Sequence, residues 1–578
     1  MPNMLALMRE RVRAAIVKAI GAEAAGAEPA VSPATDPRFG HYQCNAAMGL
    51  AKALRLKPRD VAARIVEALD VANACLPPEI AGPGFINLTL RPEFITDCLR
   101  SMLKDPRLGI EKESQPRRVL IDFSSPNIAK ELHVGHLRST IIGDCLARLH
   151  EFLGHTVLRR NHVGDWGTQF GMLIAHLQDH CPQALAPGGQ VDLGDIVEFY
   201  KEAKRRFDSE EAFKARARNA VVRLQSGDPE ATRGWKVLCD QSRREFEQIY
   251  RLLDVTLEEK GESFYNASIP ETLEELQRLG LIVESDGAWC IYPEGFKNKD
   301  GDPLPLIVRK SDGGYNYDTT DMAALRYRIR EERAERILYV TDAGQAQHFA
   351  MIFAAAAKAG WLKGVEAIHV PFGMVLGEDK KKLKTRSGET VKLRDLLDEA
   401  VARARKIVDE KNPDLRQERR AEVAETIGIG AVKYSDLSQN RISDYVFSYD
   451  KMLSLTGNTA PYLIYAYVRV QSIARKGGID YAALDASALQ TLETAEETAL
   501  GVALLRLEEI LRAAESELAP NRLTDYLFDL SQTFSRFYTN NRVLGDQRET
   551  TRLALCDLTA RAVKLGLGLL GIRCIEEM

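Results

Sequence analysis

His133 and His136 stand three residues apart in Ser-Ser-Pro-Asn-Ile-Ala-Lys-Glu-Leu-His-Val-Gly-His, residues 124–136. A β-rich apolar run, 118–123, precedes them, and Leu137, Ile141, Leu146, Leu149 and Phe152 follow near one face of a helix. Pro126 disfavours a helix running unbroken from Ser124. The two imidazoles therefore belong to a helix's first turn, beside unpaired backbone N–H groups and the positive end of the dipole. That placement suits a triphosphate, and Gly135 between them lets an adenine or ribose approach the backbone. A pair of capping or buried structural histidines is the competing reading of the same spacing.

The elements that must hold this pair are those of a parallel sheet. Apolar runs at 119–123, 156–160, 337–341 and 367–371 alternate with helical stretches between 119 and 373. A nucleotide site then falls at the strands' carboxyl ends. Charged, mostly helical residues 190–280 resemble an insertion on that sheet, and almost everything after 398 has helical periodicity. Residues 1–110 read as a small α/β module: an amphipathic helix through Met8, Val12 and Ile16 opens it, and a turn and strand at 82–90 close it. Residues 107–117 are the expected linker.

The 578 residues are 45% apolar, enough for several cores. No apolar run reaches the length of a membrane span, so no membrane association is expected. Nine cysteines without C-x-x-C spacing provide neither a zinc site nor a dense disulfide framework, and a reducing cytoplasm fits them best. A net charge of -4 excludes a polycation, so any nucleic-acid surface must be a local patch.

Several separate stretches carry a resemblance that runs from end to end: Phe-Gly-His-Tyr-Gln-Cys-Asn (39–45), the H-V-G-H segment, Gly-Asp-Trp-Gly-Thr-Gln-Phe-Gly (164–171), Gly-Glu-Ser-Phe-Tyr-Asn (261–266), Gly-Asn-Thr-Ala-Pro-Tyr (457–462) and the terminal Leu-Gly-Leu-Gly-Leu-Leu-Gly-Ile. On these the chain resembles the arginyl-tRNA synthetases, class I aminoacyl-tRNA synthetases. The resemblance implies an α/β Rossmann-like parallel-sheet catalytic domain at 111–398 with a helical insertion near 190–280. It further implies an N-terminal tRNA-contacting α/β module at 1–110, a helical connecting segment at 399–442 and an all-α anticodon-binding domain at 443–578.

The implied reaction joins L-arginine to tRNA(Arg) through an arginyl-adenylate, using ATP with Mg²⁺ carried on it and no metal site of the protein's own. Family resemblance also implies that tRNA binds before the adenylate forms. His133 and His136 correspond to the HIGH signature, which stabilises charge growing on the phosphates. The KMSKS loop corresponds to Lys382-Leu-Lys384-Thr-Arg386, with Thr385 where the second lysine should stand. Lys130 is the candidate to supply the missing charge. A guanidinium stays charged in any pocket and demands fixed carboxylates. The resemblance gives Asp321, Glu262 and Tyr317 to it, and Ser125, Asn127 and Gln345 to the α-amino end. For Asp321, a helix N-cap is the competing role.

For tRNA, the resemblance offers Phe85 for stacking with Gln43 and Asn87 for base edges, and Tyr462, Tyr465 and Arg469 at the anticodon. Tyrosines at such spacing also serve cores. A monomer is expected. The rivals are a small-molecule nucleotidyltransferase, which would have no use for the long helical C-terminal part, and an inactive synthetase-like RNA binder, whose foothold is the degenerate second signature.

Overall fold

A computed structural model describes residues 3–186, 193–383 and 391–577. The chain divides into two compact units, one formed by residues 1–112 with 454–578 and the other by Glu113–Leu453.

The second unit is built on a five-stranded sheet whose members are all parallel. In spatial order they are Glu366–His369, Arg336–Tyr339, Arg118–Asp122, Thr156–Asn161 and Glu258–Glu259. From the central strand Arg118–Asp122 the chain first winds to one side and later returns on the other. The strand order thus reverses between Arg118–Asp122 and Arg336–Tyr339, and a crevice opens at their carboxyl ends. Four of these strands are those expected from the apolar runs. The fifth, Glu258–Glu259, lies inside the stretch read as a helical insertion, whose described residues include helices Ile196–Ser209, Glu211–Gln225, Pro229–Leu252 and Ile269–Arg278. Two acidic residues at a sheet edge carry no apolar signal, which is why the strand escaped notice. Leu120, Ile337 and Tyr339 of the sheet are buried with Met322, Leu325, Phe349 and Ile352 of helices Tyr317–Arg330 and Ala346–Lys358.

The expected boundaries shift on the C-terminal side. Helix Gln417–Leu437, assigned to a separate connecting segment, belongs to the sheet-bearing unit. Its Asp436 forms a buried ion pair with Arg138 of helix Val134–Leu153, at 3.0 Å. Residues 443–453, assigned to the helical domain, also belong here. Tyr445–Val446 pairs in parallel with Val375–Leu376, the strand that leads to Lys382.

In the first unit a four-stranded antiparallel sheet runs Val31–Pro33, Tyr42–Cys44, Phe85–Leu88, Glu79–Ala81. Helix Met4–Ile20 buries Met8, Val12 and Ile16, the apolar stripe of the sequence. Gly84, at φ +150°, opens the Phe85 strand, and a Cβ there would stand 2.8 Å from the Pro58 carbonyl oxygen. The C-terminal part of the unit is helical: Ala460–Gly477, Ala495–Leu505, Leu507–Ser516, Asn521–Asn540 and Glu549–Leu569. No helix among the described residues is long and apolar enough to cross a membrane.

Candidate active site

The crevice at the strand reversal holds a cavity of about 920 Å³. Ten residues singled out in the sequence line it: Ser125, Asn127, His133, Gly135, His136, Glu262, Tyr317, Asp321, Gln345 and Lys382. Lys130 is exposed and does not line it. Lys384, Thr385 and Arg386 lie outside the described residues.

At one end stand the imidazoles. His133 is the N-cap of helix Val134–Leu153: its Nδ1 accepts from the Gly135 N–H at 3.1 Å, and His136 Nδ1 accepts from the His133 N–H at 3.1 Å. The capping role that competed with catalysis in the sequence is therefore present, and it has a chemical consequence. Each Nδ1 is an acceptor, so the neutral rings carry their protons on Nε2, fixed as donors. The rings lie 4.0 Å apart. Burial and the nearby Lys130 charge push His133 below the usual imidazole value. Burial, His133 and Lys130 push His136 down to about 3. Both are neutral donors at physiological pH.

Between strand Arg118–Asp122 and this helix, Ser124 and Ser125 have φ of 74° and 47°, in the left-handed region that costs non-glycine residues energy. Hydrogen bonds hold them there. Ser124 N–H donates to Ser139 Oγ at 2.9 Å, Ser125 N–H to Asn161 Oδ1 at 3.0 Å, and Ser125 Oγ–H to Asp122 Oδ1 at 2.8 Å. Asn127 is bridged to Gly164, where a Cβ would come within 2.1 Å of Asn127 Oδ1, so the glycine is required by close approach. Lys382 is exposed, past the turn that follows Val375–Leu376, and is bridged back to Leu376.

At the other end the charges are carboxylates. Asp321 is not a cap: Asn316 caps helix Tyr317–Arg330, and Tyr317 and Asp321 follow within its first turns. Asp321 Oδ2 accepts from His348 Nε2 at 2.7 Å, and His348 Nδ1 reaches Asp318 Oδ1 at 3.2 Å. Burial would raise the Asp321 carboxyl, but the His348 hydrogen bond and the neighbouring His162 hold it below the usual value. His348 is lowered by burial and raised more strongly by Asp318 and Asp321, to about 9. Glu262 is pushed up to about 8 by burial, by Asp321 and by Asp165. Beneath them Arg328, fully buried, pairs with Asp122 at 2.6 Å.

His162 and His348 also line the cavity, and the sequence reading missed both. A signal existed for each: His162 follows a parallel strand's carboxyl end, and His348 stands one helical turn after Gln345.

The residues offered for tRNA lie in the other unit. Gln43 and Asn87 are directly opposed on adjacent strands, Gln43 Nε2 donating to Asn87 Oδ1 at 2.9 Å, and Asn87 is only 5% exposed. This cross-strand amide pair turns Asn87 inward, against the expectation of an open base-reading edge. Phe85 is half-buried. On helix Ala460–Gly477, Tyr465 is 51% exposed, Tyr462 accepts from Gln532 at 3.0 Å, and the Arg469 guanidinium lies 4.5 Å above the Tyr538 ring. Tyr467, on the opposite face, is core.

Comparison with known proteins places this geometry. The family model described as class I tRNA synthetases (R), catalytic domain, matches residues 98–449. Models for the DALR anticodon binding domain and the arginyl tRNA synthetase N terminal domain match 463–578 and 6–90. An arginine–tRNA ligase of a Synechococcus species is 58% identical over 582 residues, covering 99% of each chain. That of a Picosynechococcus species is 54% identical and covers all of both. The solved arginyl-tRNA synthetase of Plasmodium falciparum superposes with a TM-score of 0.88 at 34% identity over the full length of both chains. The Thermus thermophilus enzyme gives 0.81 at 26% identity, over 99% of this chain and all of its own. The chain belongs to the arginyl-tRNA synthetases of class I.

Proposed function

We propose that the chain is an arginine–tRNA ligase in which this cavity performs both steps of aminoacylation. The observation that supports this best is the union, in one crevice, of neutral imidazole donors at one end and two half-buried carboxylates at the other. In the first step the arginine carboxylate attacks the α-phosphorus of ATP, pyrophosphate leaves and arginyl-adenylate forms. In the second, a terminal ribose hydroxyl of tRNA(Arg) attacks the activated carbonyl and AMP leaves.

The cap hydrogen bonds aim the Nε2–H groups of His133 and His136 at the phosphates, where they stabilise charge that grows in the transition state. Lys382, with Lys384 and Arg386 of the same sequence signature, neutralises the departing pyrophosphate, and Lys130 adds charge from the solvent side. Asp321, Glu262 and Tyr317 hold the guanidinium; Ser125, Asn127 and Gln345 address the α-amino end. Mg²⁺ enters as the counter-ion of the ATP phosphates. Among the described residues no group of three or more His, Cys, Asp or Glu side chains is arranged to hold a metal.

Gln43, Phe85 and Asn87 are assigned to the body of the tRNA, Asn87 after its amide pair with Gln43 opens. Tyr462, Tyr465 and Arg469 are assigned to the anticodon, where an exposed tyrosine beside a guanidinium suits base stacking and phosphate contact. The enzyme acts in the cytoplasm as a monomer, which sedimentation would check.

ATP–pyrophosphate exchange, run with and without tRNA(Arg), tests the whole scheme. Arginine-dependent exchange is expected, with citrulline, isosteric but neutral, a poor substitute. No exchange in the presence of ATP, arginine and tRNA together would overturn it.

A further inference from the structure

His348 is engaged at both ring nitrogens by carboxylate oxygens, Nδ1 at 3.2 Å from Asp318 and Nε2 at 2.7 Å from Asp321. A neutral imidazole has one proton and donates to one of them; only the imidazolium donates to both. The ring sits on helix Ala346–Lys358, and the Tyr317 ring packs edge-on against it at 5.1 Å. The other oxygen of Asp321, Oδ1, faces His162 Nε2 at 3.7 Å. Arg328 donates to His162 Nδ1 at 3.4 Å, which puts the His162 proton on Nε2, toward Asp321.

We propose that His348 is a positioning residue for arginine recognition: clamped between Asp318 and Asp321, it occupies Asp321 Oδ2 and leaves Oδ1 as the oxygen that meets the guanidinium. This rests on the assignment of the pocket to arginine. A free carboxylate would take a guanidinium with both oxygens. With one lone pair of Oδ2 already taken by His348, Oδ1 is the more open approach for the guanidinium, whose remaining N–H groups turn to Glu262. His348 thereby explains why the pocket needs two carboxylates from different segments, and it sets the tilt at which the substrate's side chain enters. It also answers the like-charge conflict of Asp318 and Asp321, three residues apart on one helix and both within reach of the His348 ring.

The test uses the full-length enzyme and compares His348→Ala, His348→Gln, Asp321→Asn and the double variant His348→Ala/Asp321→Asn. In His348→Ala the KM for arginine should rise about tenfold or more while the KM for ATP stays within about twofold. His348→Gln, which keeps one donor to Asp321, should recover part of this. The double variant should be no worse for arginine than Asp321→Asn alone, since both changes act on one oxygen pair. A merely structural role would instead make the two losses multiply and raise both KM values together. Should His348→Ala misfold, the C2 proton of His348, assigned by its loss in His348→Gln, is followed by NMR against pH. It should remain that of an imidazolium through neutral pH and titrate lower in Asp318→Asn. An unchanged arginine KM in His348→Ala, or a neutral ring at pH 7, overturns the proposal. If Asp321→Asn also leaves the arginine KM unchanged, it is the arginine pocket itself that fails.

Discussion

The two ends of the cavity achieve opposite electrostatics by opposite means. At the phosphate end, His133 and His136 are neutral, and two hydrogen bonds inside one helical turn settle their tautomers. At the end assigned to the guanidinium, Glu262, Asp321, His162 and His348 come from four separate segments, and burial shifts their proton affinities in different directions. The phosphate end is preorganised by local backbone geometry. The guanidinium end is preorganised by mutual charge, so removing one member disturbs all the others.

The largest effect should therefore come from the carboxylate end. Asp321→Asn removes the countercharge of a desolvated guanidinium while keeping its shape, and should cost about 4 kcal/mol, or about a thousandfold, in kcat/KM for arginine. The KM for ATP should hardly change. A normal arginine KM in this variant would move the specificity role to Glu262. Next in size is the imidazole end: His136→Ala should slow turnover by about 2–3 kcal/mol and lose about 1 kcal/mol of stability with its cap. His136→Gln supplies the acceptor that glutamine commonly provides at this capping position. It should recover the stability and not the rate. Recovery of both together would reduce His136 to a cap.

This contrast also explains what was legible in the sequence. His133, Gly135 and His136 announce themselves because the role proposed for them is written within four consecutive residues after a strand. The same holds for the sheet, whose apolar runs give four of its five strands. Asp321 and Glu262 were reached through family resemblance, and nothing in their local sequence distinguishes them from surface carboxylates. His348 and His162 matter only through what they face across the cavity, a relation created by the sheet's topology. The burial of Asn87 was illegible for a related reason: its partner Gln43 lies 44 residues away, and only the strand register shows that the two amides satisfy each other.

A pH titration sharpens the comparison further. Glu262, pushed up to about 8, is protonated in the free pocket at neutral pH, whereas a bound guanidinium favours its ionised form. Arginine binding must then release a proton, so arginine affinity should rise with pH below about 8, by up to about tenfold per unit, and level off above it. His348, raised to about 9, stays charged across that window and contributes no slope. His133 and His136, both lowered, are already neutral in that window, so they give the KM for ATP no such slope. In Glu262→Gln the arginine slope should vanish. The carboxyl's raised value has a sign for stability too. The folded state binds this proton more tightly than the unfolded chain, so its favourable contribution is complete at acid pH and lost as pH rises through about 8. Persistence of the full slope in Glu262→Gln would assign the proton to another member of the cluster.

The smallest effect should belong to Lys130. Its charge reaches both histidines, yet the side chain is exposed and does not line the cavity, so solvent screens it. The sequence alone suggested a strong role, in place of the lysine absent at Thr385; this placement reduces the expected loss for Lys130→Ala to about 1 kcal/mol, or about fivefold in kcat. Two contributions should separate. Removing the cation raises the proton affinity of His133 and His136, which alone leaves them neutral at pH 7 because burial dominates. Whatever rate is lost must therefore come from charge on the pyrophosphate. Restoring a loop lysine by Thr385→Lys in the Lys130→Ala background should recover that loss if both positions serve the same phosphate. High salt should shrink the Lys130→Ala effect while leaving the His136→Ala effect in place, since one is a screened surface charge and the other a buried donor. A salt-independent loss in Lys130→Ala would mean that the lysine enters the closed site and works as a direct phosphate ligand.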